Sequence, residues 1–169
     1  MKKVVFGAGL LLALVAAVAF AQPVKQVAPA PVDAKINWLS WEEAMTAMDK
    51  APKKMFIDVY TDWCGWCKRM DASTFTDPAV IKHMNENYYA VKFNAEGQAD
   101  QQYKGRTLSY QSGGNRGVHQ LAVVLLNGRL GYPSFVYLDE DQNSIKVSPG
   151  YKTPDVLLAE MKTISGSSN

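Results

Sequence analysis

The chain has 169 residues, carries a formal net charge of +2 and contains only two cysteines. This length is sufficient for one domain with a sizeable core. A nucleic-acid-binding role requires a surplus of lysine and arginine to neutralise phosphates. Without Lys2 and Lys3, which belong to the N-terminal segment described next, the chain has 16 basic and 16 acidic residues. Nucleic acid is therefore excluded as a partner.

Residues 1–21 have the pattern of an export signal. Two lysines follow Met1, an uncharged apolar run extends from Val4 to Ala21, and Ala19-Phe20-Ala21 has the small residues of a cleavage site. An uncleaved membrane anchor is the alternative, because the run is close to the about 17–25 residues that span a bilayer. The sequence predicts an exported protein of the bacterial periplasm.

The rest of the chain is expected to form a flexible tether at 22–35, one domain at 36–165 and a disordered tail at 166–169. Ser40 and Glu43 have the spacing of a capping box, which marks the start of a helix. Caps and helical spacing predict helices over about 41–50, 65–72, 78–87, 119–126 and 154–164. Alternation and β-forming residues predict strands over 55–60, 88–94, 134–138 and 144–147.

Residues 96–117 are polar and glycine-containing, and they are expected to form an extended loop or irregular hairpin inserted before the third core helix. Strands that alternate with helices give a parallel pair with crossover helices, and the hairpin from 134 to 147 adds antiparallel strands. The predicted fold class is α/β, with a central mixed β-sheet flanked by helices on both faces.

Both cysteines lie in Cys64-Gly65-Trp66-Cys67, directly after a predicted strand and at the start of a predicted helix. This placement is typical of a thiol–disulfide redox site. A bridge between them would enclose two residues and stabilise little by loop closure, so the pair is interpreted as catalytic rather than structural. A zinc site, the alternative, would need His83 and His119 as further ligands, and neither has the spacing of a finger ligand.

Four segments together resemble the thioredoxin-fold family. Residues 58–68 resemble its active-site segment, and residues 74–80 resemble the C-terminal domain of the DsbD family of transmembrane disulfide reductases and small exported thioredoxin-like proteins. Residues 91–94 and 131–135 match at the expected places. The resemblance covers about 36–164 and implies a thioredoxin-like fold. The chain departs from thioredoxin in having Gly65-Trp66 between the cysteines and in the longer 96–117 segment.

The cysteines are expected to have different roles. Cys64 at a helix N-terminus faces unpaired N–H groups and the positive end of the helix dipole, which favours its thiolate and makes it the attacking thiol. Cys67, one turn into the helix, is expected to be more buried and to resolve the mixed disulfide. Asp58 points toward the core beneath Cys67, and a buried carboxylate must be protonated or paired. Lys92 is the predicted partner.

The resemblance assigns Asp58 and Lys92 to proton transfer for the resolving cysteine; a purely structural ion pair is the alternative. Pro133 matches the family's cis-proline, which would place Tyr132 against the dithiol and leave backbone groups free for an incoming peptide. Trp63, Trp66 and Tyr132 are expected to form one apolar platform around Cys64. Trp63, Gly65, Trp66, Tyr132 and Pro133 are thus the candidate substrate-binding residues.

The predicted function is an exported protein-disulfide oxidoreductase that exchanges disulfides with protein partners, in the direction of reduction. An oxidase or isomerase of the same fold and a non-catalytic binding or assembly module are the alternatives. No cofactor or metal is expected beyond the redox-active Cys64–Cys67 disulfide. Partners are protein thiols and disulfides, with a membrane disulfide reductase as candidate electron donor, and the protein is expected to be a monomer.

Overall fold

The computed structural model describes residues 35–114 and 116–166, together with Met1. These ranges belong to one compact unit, Pro31–Asn169. Most of the predicted export signal (1–21) and of the predicted tether (22–35) lies outside the described residues, as do residues 167–169 of the predicted tail. Within the described residues, no helix combines the length and the apolarity needed to cross a bilayer.

The central feature is a mixed sheet of five strands in the spatial order β1-β3-β2-β8-β9. Its strands are β1 (Trp38–Leu39), β2 (Met55–Tyr60), β3 (Tyr89–Asn94), β8 (Ser134–Leu138) and β9 (Ser144–Pro149). β2 pairs with β3 in parallel and with β8 antiparallel, as the alternation of elements predicted.

In the part of the chain that the structure describes, five α-helices accompany the sheet: α1 (Trp41–Lys50), α2 (Gly65–Ala72), α3 (Pro78–Asn87), α4 (Gln120–Leu125) and α5 (Pro154–Gly166). A short 3-10 helix, Thr74–Thr76, separates α2 from α3. The capping box of α1 forms as predicted, with Ser40 Oγ accepting the Glu43 N–H and the Glu43 carboxylate accepting the Ser40 N–H. Asp77 caps α3, and Pro78 occupies its first turn.

Alternate residues of β2 and its neighbours point to opposite faces of the sheet, and each face is covered by a separate hydrophobic cluster. The cluster that includes Ile57 is packed against α1 and α4. The cluster that includes Phe56 is packed against α2, α3 and α5. Asp58 is two residues after Phe56 in β2, so its carboxylate points to the same face of the sheet, the one covered by α2, α3 and α5. The predicted α/β fold with helices on both faces is confirmed.

The differences from the predicted boundaries have local causes. Tyr88 is not yet strand, because its N–H still donates to Met84 O at the end of α3 (2.9 Å). His119 precedes α4 rather than belonging to it, because its ring nitrogen Nδ1 accepts the Leu121 N–H as a helix cap (3.0 Å). β9 continues to Pro149, and α5 to Gly166.

The segment predicted as an extended loop or irregular hairpin forms two small antiparallel ladders, and the second of them ends beyond residue 117, at His119. β4 (Gln101–Tyr103) pairs with β5 (Arg106–Leu108), and β6 (Tyr110–Gln111) pairs with β7 (Val118–His119). Lys104 and Gly105 both have positive φ, as a tight hairpin turn requires. The 96–117 segment is attached to the domain by Trp41, whose Nε1 donates to Gln102 O (2.9 Å).

Candidate redox site

The two cysteines form a disulfide at the N-terminus of α2, with their Cα atoms 5.3 Å apart. Cys64 is the N-cap, and its Sγ accepts the backbone N–H of Cys67 (3.1 Å). The turn that brings the chain from β2 into α2 is closed by a hydrogen bond from Cys64 N–H to Thr61 O (3.1 Å). The sulfur of Cys64 therefore lies where the unpaired N–H groups of a helix converge.

In this disulfide form the two cysteines differ little in exposure, at 4% for Cys64 and 2% for Cys67. The order agrees with the prediction that Cys67 is the more buried, but the contrast is small. Trp63, Gly65 and Trp66 beside them are exposed. The surface that a partner meets is consequently made by these neighbours more than by the sulfurs themselves.

Beneath the disulfide, Asp58 is buried and its Oδ2 lies 3.0 Å from Lys92 Nζ. The two residues are direct partners in the β2–β3 register. The contact is an ion pair and not a well-directed hydrogen bond, because neither carboxylate oxygen has a hydrogen-bond donor among the described residues. Desolvation raises the pKa of Asp58 to about 6, although Lys92 opposes the shift. The predicted pairing of Asp58 with Lys92 is thus present.

Lys92 has a second acidic partner that sequence reasoning missed. Its ammonium also pairs with Asp71 on α2 and lies 5.0–5.4 Å from the ring centroids of Trp38, Tyr60 and Phe75. Desolvation alone would lower the pKa of Lys92, but the two carboxylates outweigh it and raise that pKa. The signal available in the sequence was the spacing, since Asp71 follows Cys67 by four residues and lies one turn further along the helix.

The Asp58–Lys92 pair is next to solvent on the lysine side. The Lys92 side chain is 22% exposed, and it borders a cavity of about 480 Å³ that Tyr60 and Asp71 also line. A buried carboxylate with a pKa near neutrality and a partly exposed cationic partner is a combination that can hold or release a proton at neutral pH.

Trp63, which precedes Cys64, is 52% exposed and is held by residues from two other parts of the chain. Its Nε1 donates to Glu96 Oε1 (2.9 Å), and the Arg116 guanidinium lies 4.6 Å from its ring centroid. Tyr132 contacts it edge-on at 5.9 Å. Glu96 and Arg116 were not predicted as site residues; no periodic pattern marks either of them.

Trp66, which precedes Cys67, is 57% exposed and has different neighbours. Its ring contacts Tyr151 at 5.3 Å, and the Arg69 guanidinium lies 5.7 Å from each of these two rings. Trp66 therefore does not join Trp63 and Tyr132 in the single platform that the sequence predicted. The structure divides this platform into two aromatic clusters, each with one arginine.

The Tyr132–Pro133 peptide bond is cis, as predicted. Pro133 is buried and Tyr132 half-buried. Pro133 O accepts the Gly150 N–H (2.8 Å), so this backbone oxygen is used within the domain. Tyr132 reaches the redox site through its ring, which contacts Trp63.

Neither histidine belongs to a cluster of possible metal ligands within the described residues. His83 Nε2 lies 3.1 Å from Ser165 Oγ, and His119 caps α4 while its Nε2 lies 3.0 Å from Ala99 O. Among the described residues, no group of three or more His, Cys, Asp or Glu side chains could hold a metal ion.

Comparison with solved structures identifies the fold. A structure titled "DsbH Oxidoreductase" is 16% identical, with a TM-score of 0.58, and the match covers 87% of this chain and 95% of that one. A thioredoxin from Thermus thermophilus is 15% identical, with a TM-score of 0.58, over 78% of this chain and 88% of that one. At these identities the likeness shows the thioredoxin fold alone.

Curated relatives match over short stretches. The thiol:disulfide interchange protein DsbD of Pectobacterium atrosepticum is 42% identical over 40 residues, which is 24% of this chain and 7% of that protein. The uncharacterized protein B0495.5 of Caenorhabditis elegans is 27% identical over 111 residues, 65% of this chain and 13% of that protein. The matched parts are thus only small fractions of these two relatives.

A family model described as Thioredox_DsbH, a protein of unknown function (DUF255), matches residues 24–157, which include both cysteines and the Asp58–Lys92 pair. Since the match extends over most of the chain and the fold agrees with it, the chain belongs to the Thioredox_DsbH family of thioredoxin-like proteins.

Proposed function

We propose that this protein is an exported thiol–disulfide oxidoreductase that reduces disulfides in protein partners through Cys64 and Cys67. One observation carries the proposal: the only two cysteines of the chain lie at the N-terminus of α2, on the face of the sheet toward which the buried Asp58–Lys92 pair points. The site thus places a nucleophilic cysteine, Cys64, near a carboxyl group, Asp58, that can hold a proton.

Cys64 is the attacking residue in this mechanism. A free cysteine has a pKa of about 8.5, and a helix N-terminus lowers it by favouring the thiolate. In the reduced protein, the Cys64 thiolate attacks one sulfur of the partner's disulfide. A bond forms between Cys64 and that sulfur, the partner's S–S bond breaks, and the other partner sulfur leaves as a thiolate that takes a proton.

Cys67 completes the exchange. Its thiolate attacks Cys64 Sγ, the Cys64–Cys67 disulfide forms, and the second partner sulfur leaves. Two electrons have then passed from the protein to the partner. Asp58, with its pKa raised to about 6, can accept the proton that Cys67 must lose. Cys67, Asp58 and Lys92 thus form the resolving side of the site.

The proposed location is the periplasm, and the support is the export pattern at 1–21. A reductase in an oxidising compartment must be reduced again by another dithiol. A membrane disulfide reductase is the proposed electron donor. The support is the match to a stretch of DsbD, a protein named for thiol:disulfide interchange.

The test is the reduction of insulin by dithiothreitol, catalysed by the chain without residues 1–21. Turnover is expected with the unaltered protein and complete loss with Cys64→Ser, because no attacking thiol remains. Cys67→Ser is expected to stall as a mixed disulfide on Cys64 and to retain partners covalently in cells. A folded protein that neither turns over insulin nor traps a partner would overturn the proposal in favour of a binding module.

The direction of electron flow is tested by the redox potential of the Cys64–Cys67 pair. A reductase should have a potential near that of thioredoxin, about −270 mV, whereas an oxidase should approach about −120 mV. Equilibration with glutathione or dithiothreitol, followed by mass spectrometry of alkylated cysteines, measures this value.

A further inference from the structure

Each of the two exposed tryptophans of the redox site has an arginine guanidinium beside its ring. Arg116 of the 96–117 segment lies over Trp63, and Arg69 of α2 lies over Trp66. These tryptophans immediately precede the two cysteines. A partner polypeptide that presents a disulfide to Cys64 must therefore pass close to both guanidinium groups.

We propose that Arg116 and Arg69 bind acidic side chains that flank the reactive cysteine of the partner. The redox site would thus prefer protein segments with Asp or Glu next to the disulfide. The inference rests on the proposed thiol–disulfide exchange and adds a substrate class to it.

The positive charges of the two arginines are not paired with a carboxylate within the described residues. Neither Arg116 nor Arg69 forms a salt bridge among the described residues, whereas Lys92 has two. Arg69 also hydrogen-bonds the Tyr151 side chain, but a guanidinium has five N–H donors, so both arginines keep donors for a carboxylate. A carboxylate can accept two of these donors at once, which gives geometric specificity as well as attraction.

The neighbouring carboxylates do not neutralise this surface. Glu96 Oε1 already accepts the Trp63 N–H, and Asp62 Oδ2 accepts from Asn94 Nδ2 (3.1 Å). Lys68 on α2 is also exposed. Arg116, Arg69 and Lys68 outnumber Glu96 and Asp62, so these five side chains together carry a net positive charge, although the whole chain beyond residue 21 is balanced in charge.

Arg116 also borders a pocket beside Trp63. The pocket has a volume of about 340 Å³ and is lined by Glu96, Gln98, Tyr110, Arg116 and Gly117. This volume can accept one side chain of a bound polypeptide. Arg116 is the cationic residue of this lining, so it is the group that can bind an acidic end of that side chain.

The experiment compares two peptides that are identical except for the residues on each side of a single cysteine, Glu in one and Lys in the other. Each peptide is presented as a mixed disulfide with 2-mercaptoethanol, and the reduced protein releases the peptide thiol and 2-mercaptoethanol while its own dithiol becomes a disulfide. Each rate is divided by the rate with dithiothreitol, which corrects for the intrinsic reactivity of the peptide disulfide.

The unaltered protein is expected to favour the acidic peptide at least about fivefold at low salt, and the preference should fall toward unity as salt screens the charges. Arg116→Glu and Arg69→Glu should each lower the acidic-to-basic ratio about fivefold, because attraction becomes repulsion. Arg106→Glu is the matched control: this arginine is exposed in β5 of the same segment and forms no salt bridge within the described residues, so the ratio should stay unchanged.

Two failures can be told apart. If the unaltered protein reduces both peptides at equal corrected rates, or if Arg116→Glu and Arg69→Glu leave the ratio as it was, the inference about the arginines is wrong while the exchange reaction stands. If the protein reduces neither peptide, the proposed function itself fails. The salt dependence needs no variant, so the result does not depend on the variants folding normally.

Discussion

Beneath the disulfide, Asp58 and Lys92 lie on adjacent strands and pair directly across the sheet, whereas around it Trp63 and Trp66 are held by side chains from irregular segments. The regular pairing of β2 with β3 fixes the positions of Asp58 and Lys92 relative to each other. The exposed tryptophans depend on contacts with Arg116 and Tyr151. We therefore expect the proposed proton transfer and the proposed recognition of partners to change independently.

This comparison predicts opposite effects of substitutions in the two regions. Substitutions of Asp58 or Lys92, beneath the disulfide, should alter the free energy of unfolding and its pH dependence. Changes at the exposed rim should leave stability nearly unaffected and act on the choice of partner. Asp58→Asn and Trp63→Phe test this separation, and Gly117→Ala tests the packing within the 96–117 segment. They follow in order of decreasing expected effect.

The largest effect is expected for Asp58→Asn, which should stabilise the protein at pH 7. The pKa of Asp58 is about 6 in the folded chain, above the about 3.9 of an unfolded one, so the folded state binds the proton more tightly. The cost of ionised Asp58 is absent below about pH 4, grows between pH 4 and 6, and reaches up to about 3 kcal/mol above pH 6. The free energy of unfolding should rise by up to that amount at pH 7, since the pKa of about 6 already includes the attraction of Lys92 for the ionised carboxylate.

Urea unfolding of the disulfide form at several pH values between 4 and 7 measures this effect. Asp71→Asn is the matched control, since it removes a carboxylate from the same lysine but at a position that is 46% exposed; it should give no such gain. A gain for Asp58→Asn that is equally large at pH 4 would contradict the assignment of the effect to proton binding.

A destabilisation of about 2 kcal/mol is expected for Gly117→Ala, because overpacking forces the surroundings to shift. A Cβ at Gly117 would lie 2.2 Å from Tyr110 Oη and 2.4 Å from Gln111 O. Hydrogen exchange should quicken in β6 and β7 while β2 and β3 stay protected.

Gly113→Ala is the control within the same segment, because nothing lies within 4 Å of the added Cβ. Its free energy of unfolding should match that of the unaltered protein. Equal exchange rates in Gly117→Ala and Gly113→Ala would show that the close approach of Gly117 to Tyr110 does not hold the segment together.

The smallest effect, at most about 0.5 kcal/mol, is expected for Trp63→Phe, since a hydrogen bond between exposed groups is readily replaced by water. Trp41→Phe is the informative counterpart. Both indole N–H groups donate to the 96–117 segment, Trp63 to Glu96 Oε1 and Trp41 to Gln102 O, but Trp41 is buried. Its replacement should cost about 2 kcal/mol, through lost packing and an unpaired backbone carbonyl.

Thermal or denaturant unfolding of the two variants side by side checks this. Comparable losses for Trp63→Phe and Trp41→Phe would mean that the exposed rim contributes to stability as much as the core does, and the separation of the two regions would be wrong.

Much of the regular structure could be predicted because its signals are local. The capping box at Ser40 and Glu43 and the Asp77–Pro78 cap place helix starts to the residue. The period of two in β2 places Asp58 on the α2 face, and the neighbouring parallel strand supplies Lys92. Residues 96–117 were less predictable, since their short ladders depend on two positive-φ residues and on a glycine contact that carry little pattern.

By itself, the sequence determined the dithiol, the helix that begins at it, the class of fold and the Asp58–Lys92 pair, because each follows from spacing along one element or between adjacent strands. Only the tertiary structure decided that Asp71 shares Lys92, that Trp63 and Trp66 belong to separate clusters, and that Arg116 covers one of them. These contacts join side chains from loops and helices that have no common period. Packing alone brings them together.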